Sequence, residues 1–143
     1  MSGNTFILRM GGILPPTDQI SHLLQLDPTR AVQRGTVRHN MLVEKDYWEH
    51  QFPSWKGLEA IGDDVPDEIV TSVGEKLTAL AEILPTFNTA SSWVQFRIES
   101  VRDNAHGLLM IPAALLKAIA LCAIDFHISV TVKTSDPISD EEG

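Results

Sequence analysis

Leu26-Asp27-Pro28-Thr29-Arg30, followed by Gly35, is the stretch from which the fold is best read. The residue before a proline is pushed out of the α region, so a helix running into Pro28 must stop there. The residues before it fit that helix. Ile20, Leu23 and Leu24 fall on one apolar face. Thr17, after Pro15-Pro16, suits the N-cap, where a hydroxyl accepts from a free backbone N–H of the first turn. Beyond Thr29 the helical spacing ends, and Ala31–Arg38 reads as an extended segment. Here, then, a short amphipathic helix hands over to a strand.

Working outward, Phe6, Leu8 and Met10 alternate with Ile7 and Arg9, which predicts a first strand broken by Gly11-Gly12. Residues Met41–Phe52 read as a further strand carrying Tyr47, Trp48 and Phe52, and 53–65 as a loop or insertion. Asp64 and Asp67 suggest a weak capping box. After them Ile69, Val70, Val73, Leu77, Leu80, Ala81 and Leu84 recur at helical spacing until Pro85. Val94, Phe96 and Ile98 alternate with Gln95, Arg97 and Glu99. Pro112 suits the first turn of a third helix with Leu115, Leu116, Ile119 and Ala123 inward. Phe126, Ile128, Val130 and Val132 alternate with His127, Ser129, Thr131 and Lys133, the clearest strand pattern in the chain.

The expected order is strand, helix, strand, strand, helix, strand, helix, strand. This predicts an α+β fold, a ferredoxin-like βαββαβ unit with an added helix and strand. Its sheet is expected to be mixed or antiparallel, with the helices packed on one face. Residues 1–133 form one domain in this reading, and 134–143 a disordered acidic tail.

The run Leu23-Leu24-Gln25-Leu26-Asp27-Pro28-Thr29-Arg30 and then Gly35 resembles the signature of the bacterial family called domain of unknown function 4279. Trp48 fits that family's tryptophan-bearing strand, and Leu108–Val132 its C-terminal half. The resemblance spans Phe6 to Val132 and departs from the family pattern between Met41 and Val65. It implies a small bacterial α+β domain without established activity. Proposed roles for such families include immunity proteins of contact-dependent toxin systems.

The formal net charge is −8, with 21% charged and 43% hydrophobic residues. Asp136, Asp140, Glu141 and Glu142 lie in the tail, so the acidity is partly a tail property. An acidic body argues against non-specific nucleic-acid binding, which needs a basic surface. Cys122 is the only cysteine, so no intrachain disulfide can form, which suits a reducing compartment. The start, Met1-Ser2-Gly3-Asn4-Thr5, lacks a secretory pattern. The most apolar stretch, Gly107–Ile124, is interrupted by Pro112 and Lys117 and is short for a membrane span. A cytoplasmic protein without a membrane anchor is expected.

No recognisable catalytic constellation occurs. Gly11-Gly12 precedes prolines rather than a phosphate-binding helix start, and the serines lack a nucleophile elbow. Cys122 lies in an apolar run rather than beside an activating base. His22, His39, His50, His106 and His127 show no metal-site spacing. No enzyme, metal or cofactor is expected. Arg30, Arg34 and Arg38, spaced by four, would share one face of a continuous strand and could meet an acidic partner or a phosphate. The alternative is a solvated face paired with acids.

Trp55, beside Tyr47 and Phe52, is either an interface anchor or a lid folded back on the core; Trp48 and Trp93 read as core. The leading expectation is a non-catalytic, immunity-type protein-binding module. Its contact surface would be Tyr47–Lys56 with the acids Asp46, Glu49, Asp63 and Asp64, and its acidity would steer a basic partner toward it. Arg30 and Arg34 are further candidates. The alternative is a small-ligand sensor with an enclosed pocket between helices and sheet. The last strand leaves a homodimer through an intermolecular sheet open.

Overall fold

The computed structural model describes residues 3–56, 63–103 and 109–133. The tail at 134–143, His106 and the middle of the predicted 53–65 loop lie outside them. The chain runs β1 (Gly3–Gly12), α1 (Thr17–Leu24), β2 (Arg30–Val32), β3 (Val37–Arg38), β4 (Met41–Leu42), β5 (Asp46–Gln51) and β6 (Asp63–Asp64). It continues with α2 (Asp67–Ala79), a 3₁₀ turn (Leu84–Phe87), β7 (Ser92–Arg102), β8 (Leu109–Met110), α3 (Ala113–Leu121) and β9 (Asp125–Val132).

Five strands form one mixed sheet in the order β2-β5-β1-β7-β9. β1 lies antiparallel between β5 and β7, and β2 is antiparallel to β5. β9 is parallel to β7, a pairing that needs a crossover connection, here supplied through α3. The protein is therefore α+β. β3 and β4 form a separate hairpin, and β6 and β8 a two-residue parallel pair.

Alternation along β1 divides the sheet's faces. Phe6, Leu8 and Met10 point into the core with Trp48 of β5 and Val94, Phe96 and Ile98 of β7. The helices close over this face: Ile20 and Leu24 from α1, Ile69, Val73 and Leu77 from α2, Leu115, Ala118 and Ile119 from α3. Trp48 is 0% exposed, and its indole N–H donates to Ser21 Oγ at 3.3 Å.

Helix entry differs from the sequence expectation. Neither Thr17 nor Asp64 stands at an N-cap position. Pro16, Pro66 and Pro112 occupy the N-cap positions, at ψ 144°, 144° and 147°, and among the described residues no side chain caps any of the three. Each proline carbonyl instead accepts the first helical N–H groups, from Ile20, Val70 and Leu116 at 3.0–3.1 Å. α1 ends as expected ahead of Pro28, through Gln25 in the left-handed region. α2 ends at Ala79, five residues before Leu84, and Pro85 lies inside the 3₁₀ turn instead of stopping the helix.

The expected strands at 31–38 and 41–52 are each broken in two. Gly35 turns the chain at φ +88°, and His39 and Asn40 reverse it at φ 50° and 62°, as a tight hairpin requires. No helix among the described residues is long and apolar enough to cross a membrane.

Candidate functional site

Among the described residues the second face of the sheet adds none to the core cluster, although Ile7 on that face is only 3% exposed. Register places its side chains in rows across the strands. One row runs Arg30, Glu49, Arg9, Gln95, Asp125; the next runs Val32, Tyr47, Gly11, Trp93. At the centre, Gly11 leaves room for the Trp93 indole. A Cβ there would stand 2.5 Å from Trp93 Cζ2, closer than any carbon contact allows. Trp93 and Tyr47 thus flank Gly11 from either side, their rings 6.4 Å apart.

Arg9 rises beside this pair. Its guanidinium carbon lies 5.1 Å from the Trp93 ring centre and 5.6 Å from that of Tyr47. Arg30 stacks on Tyr47 at 5.5 Å. All of these distances are within cation–π range. Arg9 Nε is buried and has no hydrogen-bond partner among the described residues. Its neighbour Glu49 is occupied: one oxygen accepts the Tyr47 hydroxyl and the other accepts Gln51 Nε2 at 2.8 Å. Burial, and then the hydrogen bond to Glu49, push the Tyr47 phenol up to about 12. Tyr47 therefore stays neutral at physiological pH and offers a ring rather than a proton.

The other sequence candidates are placed elsewhere. Asp46 is 6% exposed and accepts the backbone N–H of Leu14 at 2.8 Å, that of Arg34 at 2.7 Å, and the Arg34 guanidinium. Burial alone would raise its pKa, but these donors outweigh it and hold the carboxyl below its ordinary 3.8. Asp46 and Arg34 therefore tie the start of β5 to the segments at Leu14 and Arg34 instead of lining a surface. The arginine series is not one strand face. Arg34 turns to Asp46 and Leu14 O, while Arg30 and Arg38 line an open groove of about 670 Å³ beside β2.

Trp55 is folded back on the core as a lid. It is 8% exposed, packs 5.2 Å from Phe6, and bonds through its backbone to Asn4 on the end of β1. Of the expected surface, Tyr47 and Glu49 meet on one face, but Asp46 and Trp55 do not join them. The sequence reading missed Arg9 and placed Trp93 in the core. The signal for both was present: Arg9, Trp93 and Gln95 stand on the wet phase of strands whose other phase is apolar.

Cys122 is fully buried, donates its S–H to Leu77 O at 3.2 Å, and burial raises its pKa, the reverse of what a nucleophile needs. No group of three His, Cys, Asp or Glu among the described residues could hold a metal ion. An open groove of about 540 Å³ lies between α2 and α3, lined by Val70, Gly74, Thr78 and Ala118 among others. The chain matches no protein-family model, no curated protein and no solved structure.

Proposed function

We propose that the protein is a non-catalytic protein-binding module that meets its partner with the second face of its sheet. One observation carries this reading: Trp93, Tyr47, Arg9 and Arg30 stand together on four adjoining strands, on the face that, among the described residues, no helix residue of the core covers. Tryptophan, tyrosine and arginine are the residue types that dominate binding energy at interfaces. Strand-borne side chains are also held more rigidly than loop-borne ones.

Charge acts at two ranges. The net charge of −8 steers a basic partner over long distance. At contact, Arg9 and Arg30 receive a carboxylate from that partner, because Glu49 is already committed to Tyr47 and Gln51. An immunity-type role is the special case in which the partner is a basic toxin domain.

The ferredoxin-like reading of β1-α1-β2-β5-α2-β7 belongs to the same proposal. The order β2-β5-β1-β7, antiparallel at every step, supports it, with α3 and β9 appended.

Affinity capture from the source organism tests the proposal. A stoichiometric partner is expected with the wild type and with the control Arg38→Gln. Arg9→Gln and Trp93→Ala are each expected to weaken its capture at least about tenfold, the scale of a single interface hot spot. Unchanged capture by both variants would sink the proposal. The small-ligand reading expects an enclosed pocket between helices and sheet; applied instead to the open groove between α2 and α3, it predicts thermal stabilisation by a metabolite that Gly74→Leu abolishes.

A further inference from the structure

β9 is an edge strand with features an edge strand usually avoids. Among the described residues it pairs with β7 on one side and with nothing on the other. It is eight residues long and contains no proline. Its core-phase residues Ile128 and Val130 are 59% and 57% exposed, and Val132 is exposed beside them. Long apolar edges of this kind template pairing with another strand.

The strand's own sequence identifies which one. Lys133 N–H donates to Arg102 O at 2.7 Å, so the odd-numbered residues of this segment turn their backbone groups toward β7. Backbone direction alternates along a strand, so Phe126, Ile128, Val130 and Val132 turn theirs toward the free edge. An antiparallel partner must therefore match even residues with even ones. If the partner is the same strand related by a twofold axis, the axis passes through a residue.

Three centres keep most of the strand paired, and charge separates them. An axis at Val130 sets His127 opposite Lys133. An axis at Ile128 sets Asp125 opposite Thr131 and leaves Lys133 beyond the strand. An axis at Ser129 sets Asp125 opposite Lys133 at both ends, Phe126 opposite Val132, and Ile128 opposite Val130. Asp125 and Lys133 are both exposed. Opposite charges directly across a ladder stabilise it, and apolar pairs on the other face do the same.

We propose that this chain forms a homodimer by antiparallel pairing of β9 with its copy about a twofold axis at Ser129. The two five-stranded sheets join into one continuous sheet, and each copy buries the Ile128–Val130–Val132 stripe of the other. The Arg9–Tyr47–Trp93 cluster is centred two or more strands from this edge, so the dimer leaves both copies of it open.

Sedimentation of the full chain over a concentration series is the test. The wild type is expected to show a monomer–dimer equilibrium. Asp125→Lys and Lys133→Asp, both surface substitutions, are each expected to weaken it at least about tenfold, and the double exchange to restore it. Ser129→Cys is expected to give a covalent dimer on oxidation, because non-hydrogen-bonded partners sit about 4.5 Å apart at Cα, within disulfide reach. His127→Cys, displaced from its own copy along the strand, is expected to give no crosslink. A monomer at every concentration overturns the proposal. So does a dimer insensitive to both charge reversals, or one in which the His127→Cys variant crosslinks and the Ser129→Cys variant does not.

Discussion

The chain has a single tyrosine, so its ionisation can be followed without ambiguity by tyrosinate absorbance. Tyr47 sits between two guanidinium groups and one carboxylate. Burial is the largest influence and raises its pKa; the hydrogen bond to Glu49 adds to this, and the charges of Arg9 and Arg30 work against it. The net result is about 12, against an ordinary 10.0. A phenol whose folded value is raised stabilises the neutral form in the fold. Its sign follows from linkage: as pH rises past 10.0 the unfolded chain loses the proton first, and stability is lost as pH climbs toward 12. The native midpoint is therefore expected near 12, with far-UV circular dichroism confirming that the fold persists. Unfolding in denaturant should bring it to 10.0. Glu49→Gln removes the carboxylate charge and should lower the native midpoint while burial keeps it above 10.0. Arg9→Gln removes an opposing charge and should raise it. A native midpoint at the ordinary value, or the two substitutions moving it in the same direction, would refute the arrangement described for this face.

Two further outcomes test the packing behind the site. Asp46→Ala strands the backbone N–H groups of Leu14 and Arg34 and should cost about 3 kcal/mol in chemical denaturation. Because the folded carboxyl lies below 3.8, its contribution is whole above that pH and fades as pH falls through the folded value, a dependence Asp46→Asn should remove. Gly11→Ala drives a methyl into the Trp93 ring and should cost about 1–3 kcal/mol. Adding Trp93→Ala should recover most of that loss, and additive costs in the double variant would show that the ring does not lie over Gly11.

The long elements were legible in the sequence because their side-chain period is set by burial. β7 alternates strictly in burial, Phe6, Leu8 and Met10 mark the core phase of β1, and α2 carries Ile69, Val73 and Leu77 at helical spacing. The region between α1 and β5 was not, because two reversals there lack a strong local signal. The His39-Asn40 turn takes two positive φ angles without a glycine, and the Asp46 clamp reaches across 32 residues to Leu14. Trp55 stayed open between two readings for the same reason. Its polar neighbours suggest a loop surface, and only its pairing with the distant Asn4 folds it inward. The site was half legible: Tyr47 and Glu49 share a strand, but their meeting with Arg9 and Trp93 depends on strand order. A single sequence does not carry that order in its local pattern.

The three proline N-caps have a consequence for the chain before it folds. A proline at each helix entry donates no N–H and already holds φ near its helical-entry value, here −53°, −58° and −60°. The restriction operates in the denatured ensemble, where it removes conformations that folding would otherwise have to discard. Side-chain caps act only once the first turn exists. Here the starting points of α1, α2 and α3 are inscribed in the stiffness of the unfolded chain, ahead of any tertiary contact.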